Sequence, residues 1–81
     1  MSILLRNYLM TDEDGHAFIL RATSTVTAIR AWERLEELER VHPLEAVSVA
    51  TDFEARYFTD VDAYEPLPPD VAAIAEGRNA S

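Results

Sequence analysis

An α+β domain with the element order ββαβ is the fold class this sequence predicts, and three observations carry the prediction. Two short apolar-rich segments flank an Asp-Gly turn. One run has its apolar residues at three- and four-residue spacing, and a later run alternates apolar with polar residues. A small antiparallel sheet with one amphipathic helix on one face, and a short C-terminal helix, satisfies all three.

The first two strands come from "ILLRNYLM" (Ile3–Met10) and "HAFILRAT" (His16–Thr23), separated by Thr11-Asp12-Glu13-Asp14-Gly15. Glycine accepts the positive φ of a hairpin turn and an aspartate side chain can bond the turn backbone, so the acids at the tip have a structural explanation. Next, Ser24 or Thr25 caps a helix to about His42, whose buried face is Ala28, Ala31, Trp32, Leu35, Leu38 and His42. Arg30, Glu33, Arg34, Glu36, Glu37 and Arg40 form the solvated face, with Glu36 and Arg40 at i,i+4, and Pro43 stops the helix.

From Val47 to Tyr57 the residues alternate, with Val47, Val49, Thr51, Phe53 and Tyr57 on one side and Ser48, Asp52, Glu54 and Arg56 on the other. That is the period of a half-buried strand, expected through at least Thr51 and on to Phe58. Thr51-Asp52-Phe53-Glu54 also fits a capping box, which would open a short helix instead. Pro66, Pro68 and Pro69 exclude a sheet interior. Asp70 is then expected to cap "VAAIAE", with Gly77 at the position just past that helix.

At 81 residues the chain is a single domain, expected over residues 1–77 with a disordered tail at 78–81. So short a chain, with Tyr8, Ile19, Tyr57 and Phe58 unable to face one helix together, is expected to pair as a homodimer or to expose an apolar patch around Tyr8, Ile19 and Phe58. It has no cysteine, which removes disulfides, thiol chemistry and cysteine-ligated metals and points to a reducing, cytoplasmic setting. The apolar run at the start is too short for a signal peptide, and nothing approaches the length of a membrane span.

Net charge is −8, unevenly placed: residues 1–40 carry −2 and residues 41–81 carry −6. All seven cations are arginine and none are clustered, so direct nucleic-acid binding, which needs clustered cations on phosphates, is not expected. A basic partner fits better.

Catalytic and metal chemistry find little to build on. Asp60-Val61-Asp62 opens like a calcium loop, but Tyr64 stands where a third oxygen ligand belongs and the required glycine is missing. His16 and His42 are far apart in sequence with no cysteine to join them into a zinc site. No carboxylate sits in an apolar run that would raise its pKa for acid catalysis, and two glycines cannot build a phosphate loop. No catalytic residue, cofactor or metal is therefore assigned.

What remains is the stretch "TDVDAYEPLPPD" (residues 59–70) and the strand before it. Asp52, Glu54, Asp60, Asp62, Glu65 and Asp70 frame the aromatics Tyr57, Phe58 and Tyr64. Carboxylates supply attraction to a basic surface, prolines hold the segment extended, and aromatics supply contact area. In size, acidity and ββαβ arrangement the chain resembles the small phage-encoded inhibitors known as anti-CRISPR proteins, several of which resemble a DNA backbone in charge. The resemblance implies a non-enzymatic inhibitor that blocks the basic, nucleic-acid-binding surface of a CRISPR effector complex. It carries no residue motif, so no site residue transfers from it. The alternative is a small bacterial homodimeric domain whose acidity serves only solubility.

Overall fold

A computed structural model describes residues 4–78. Its elements run β1 (Arg6–Asp12), β2 (Ala17–Ala22), α1 (Thr25–Glu37), β3 (Leu44–Val49), α2 (Asp52–Tyr57) and α3 (Pro69–Ala75). The strands form an antiparallel sheet in the order β2-β1-β3, with Tyr8 opposite both Leu20 and Val49, and Met10 opposite Phe18 and Val47. This is the expected α+β class, with one helix more than ββαβ plus a C-terminal helix requires.

Strand alternation decides what each face buries. Tyr8, Met10, Leu20 and Ala22 meet Ala28, Ala31, Trp32 and Leu35 of α1 and Val71 and Ala75 of α3 in one core. Trp32 is fully enclosed, stacks at a tilt on Phe18 with centroids 6.2 Å apart, and donates its indole N–H to the carbonyl of His42 at 2.9 Å. An indole buried with its donor satisfied carries no unpaired polar cost. Ser24 caps α1 in a reciprocal box with Thr27.

Helix α1 stops five residues short of His42, because Glu39 turns to φ +58 and the Arg40 amide bonds back to the Leu35 carbonyl at 3.0 Å. That closure is the Schellman type, made with a non-glycine residue. Leu38 therefore lies at the helix end, partly exposed, and His42 lies beyond the helix. The expected Glu36–Arg40 pair is lost with the last turn. Arg40 instead donates to the carbonyls of Glu65 and Pro66 at 2.7 and 3.1 Å.

The long third strand is corrected most. It is Leu44–Val49, and residues 52–57 are helix α2, with Thr51 Oγ1 accepting from the Glu54 amide at 3.1 Å and Glu54 Oε1 accepting from the Thr51 amide at 2.9 Å. Two orphan donors of a helix start are satisfied locally by the capping box, a gain that outweighs the period-two pattern.

After α2 the chain reaches the far edge of the sheet. There Ile19 donates to the Thr59 carbonyl at 2.9 Å and accepts from the Val61 amide at 2.8 Å, a one-residue parallel bridge on β2. Because α1 and α3 hold one face of the sheet, this connection crosses the other, and Ile19, which shares that other face with Leu9, is 2% exposed. Tyr8 is buried as well. The exposed patch expected around Tyr8, Ile19 and Phe58 is therefore absent: Tyr8 faces the core, the Thr59–Val61 segment pairs with Ile19 and Phe58 is half-buried, although Ala46 and Ser48 on the second face stay exposed.

At the C-terminal end, α3 begins at Pro69 with Pro68 as its cap residue, and no side chain caps it. Asp70 is not the cap; its carboxylate is taken by Arg34. Gly77 has φ +74, and amides of Gly77 and Arg78 return to the carbonyls of Ile74 and Ala73, so Arg78 belongs to the helix closure rather than to a tail. A side chain at Gly77 would press on Thr23 Oγ1 at 3.0 Å. The rest of the expected tail, residues 79–81, and Ile3 of the first segment lie outside the described residues.

Candidate functional site

Helix α2 carries the aromatics of the candidate surface. Phe53 and Tyr57, four residues apart, lie on one helical face and stack with centroids 5.6 Å apart and planes 17° apart. Phe58 meets Tyr57 edge-on at 5.0 Å. Phe53 and Tyr57 are 69% and 70% exposed, and α2 buries no residue fully. A short helix that presents its aromatic face outward does little for the core. Asp52 and Glu54 stand in its first turn, where negative charge complements the helix dipole, and Arg56 stands in the last.

The predicted acidic residues separate into two groups. Glu54, Glu65 and Asp70 are committed within the fold. Glu54 closes the capping box. Glu65 lies 3.6 Å from Arg40 Nε and offers its carbonyl to the same guanidinium. Asp70 Oδ2 accepts from Arg34 Nε at 2.8 Å, tying α3 to α1. That hydrogen bond holds the Asp70 carboxyl below its ordinary range, while Asp70 raises the Arg34 guanidinium. Asp52, Asp60 and Asp62 enter no ion pair among the described residues.

Asp60 and Asp62 line a shallow depression beside β2 with Arg21, Val61 and Leu67. Tyr64, at the tip of the loop, is 93% exposed. The outward-facing set is thus Asp52, Tyr57, Asp62 and Tyr64, with Asp60 half-buried and Phe58 half-buried behind Tyr57. Asp52 and Glu54, expected on the polar side of a strand, sit instead in the first turn of α2.

Two features went unread in the sequence. The alternation sets Phe53 with Val47 and Val49 on one side of a strand; the i,i+4 relation to Tyr57, visible once the capping box opens a helix, identifies the stack. His16 and His42 are brought to one groove between the hairpin turn and the end of α1, lined also by Asp12, Phe18, Leu35, Arg40, Val41 and Val61. Only the tertiary fold joins them. Among the described residues, no group of three or more His, Asp or Glu side chains is arranged to hold a metal ion, and no helix is long and apolar enough to cross a membrane. Compared with protein families, curated proteins and solved structures, the chain matches none.

Proposed function

We propose that the protein is a non-enzymatic interaction module that docks on a basic protein surface, in the manner of an inhibitor of a nucleic-acid-binding machine such as a CRISPR effector complex. The observation that carries the reading is the stacked Phe53–Tyr57 pair, exposed on a six-residue helix whose first turn holds the unpaired Asp52. Large exposed aromatics contribute little to a monomer and are the usual anchors of an interface. Unpaired acids at a rim steer a cationic partner and set its orientation. In this reading Asp52, Asp60 and Asp62 supply attraction and Phe53, Tyr57 and Tyr64 supply contact area.

The test reverses charge at two places. Asp60→Lys with Asp62→Lys should weaken binding to the effector complex by about 2 kcal/mol or more through close-range repulsion. Glu33→Lys with Glu36→Lys, on the exposed side of α1, changes net charge equally and should bind nearly as the wild type. Equal effects of the two double variants would reduce the acidic segment to a solvated loop. A second reading, a homodimer, is favoured by one further observation: Leu4, Val49, Phe53 and Tyr57 are each more than half exposed. Sedimentation equilibrium at rising protein concentration decides it.

A further inference from the structure

Asp12 is a carboxylate at the end of β1 whose side chain is 2% exposed. One of its oxygens, Oδ1, accepts from the amides of Asp14 and His16, both at 2.9 Å, and so closes the hairpin turn. The other, Oδ2, has no hydrogen-bond partner among the described residues; its nearest cation-forming group is His16 Nδ1 at 3.7 Å, on an imidazole that is itself mostly exposed. Asp12 lines the groove of about 260 Å³ whose walls are Phe18, Leu35, Val41 and Val61. No buried side-chain oxygen among the described residues lacks a partner, so Oδ2 meets solvent, and on a side chain otherwise enclosed it does so where Asp12 lines the groove; a charged donor on an apolar stem would satisfy both the oxygen and the walls.

The other charges at the groove are spoken for. Arg40 is held by Glu65 and by the carbonyls of Glu65 and Pro66. His42 Nε2 lies 3.2 Å from Asp14 Oδ2, and the Glu13 amide donates to the Pro43 carbonyl at 3.0 Å, so the turn and the residues after α1 brace each other across the mouth. Asp12 Oδ2 is left as the polar group that a ligand would meet at the wall.

We infer that the groove is a socket for a primary alkylammonium group, of the kind carried by a lysine side chain or a free monoamine. The ammonium bonds Asp12 Oδ2, with the Phe18 ring available for a cation–π contact, and the methylene stem lies along Leu35, Val41 and Val61. At Oδ2 an anion is disfavoured, because it would face a carboxylate. The socket is separate from the α2 surface and does not rest on the function proposed for it.

The test is a titration of the isotope-labelled protein followed by NMR, with n-butylammonium, Nα-acetyl-lysine N-methylamide, its neutral norleucine counterpart and butyrate. The two amines should shift the Asp14 and His16 amides saturably, with a dissociation constant of about 1 mM. Norleucine and butyrate should not saturate. Lysine amide binding as tightly as butylammonium assigns the socket to a lysine side chain, whereas butylammonium alone assigns it to a free amine. Asp12→Asn keeps an oxygen for the turn and removes the charge, and should weaken the amines at least ~10-fold. If Asp12→Asn does not fold, the contrast between lysine and norleucine on the wild type decides alone. Equal binding of the two, saturation by butyrate, or no saturable shift with either amine overturns the inference.

Discussion

Asp70 and Arg34 show how one residue pair joins two elements at the protein surface. Both side chains are partly exposed, so solvent screens the attraction, and the value of the contact lies in geometry: one short hydrogen bond fixes α3 against α1. The folded carboxyl titrates below its ordinary value of 3.8, chiefly because Arg34 donates to it. Such a depressed group stabilises the fold fully above the unfolded pKa, and the contribution disappears as pH falls through the folded one. Asp70→Asn should therefore be less stable than the wild type at neutral pH, and the gap should close in acid below the ordinary carboxylate range. Urea midpoints at both pH values measure it. A gap that stays constant into strong acid would mean that packing, not ionisation, links the helices.

Helix α2 is the element on which local and periodic signals compete. Its residues alternate as a strand should, yet Thr51 and Glu54 satisfy each other's backbone amides, and the chain must leave the sheet there to reach the far edge at Ile19. Thr51→Ala removes the oxygen that accepts from Glu54 and should cost about 1 kcal/mol of local helix stability. Because α2 buries no residue fully, amide exchange within it should quicken about fivefold while the global unfolding midpoint hardly moves. An equal shift of the global midpoint would show that α2 is integral to the core. The hairpin and the buried face of α1 were legible because turn chemistry and helical spacing act within a few residues; Gly15 at φ +85 and the enclosed Ala28, Ala31, Trp32 and Leu35 follow from them. The loss of Asp70 as a cap was not, since it depends on Arg34, far along the chain, and neither was the end of α1, which Glu39 closes without the glycine that usually marks such an end. The acidic frame was legible as composition only. Which carboxylates the fold uses depended on where the arginines came to lie for Glu65 and Asp70, and on the capping box for Glu54.

At the scale of the whole molecule, net charge and exposed apolar area make opposite demands. A chain of charge −8 repels its own copy, whereas Phe53, Tyr57, Val49 and Leu4 offer area that any association would bury. Salt separates the two outcomes by sign. Contact between two acidic copies is opposed by repulsion, so added salt should strengthen it. Contact with a basic partner is aided by attraction, so added salt should weaken it, with exposed charges screened over about 8 Å at physiological ionic strength. The protein should therefore stay monomeric by sedimentation in low salt, while its complex with a basic effector surface tightens as salt is lowered, mostly through faster association. Tyr57→Ala should act differently: burial of an aromatic is insensitive to screening, so this variant should speed dissociation at every salt concentration. Dimerisation that grows with salt and disappears in Tyr57→Ala, with no salt-sensitive partner binding, would assign the aromatic helix to self-association and leave the acidic surface to keep the monomer soluble.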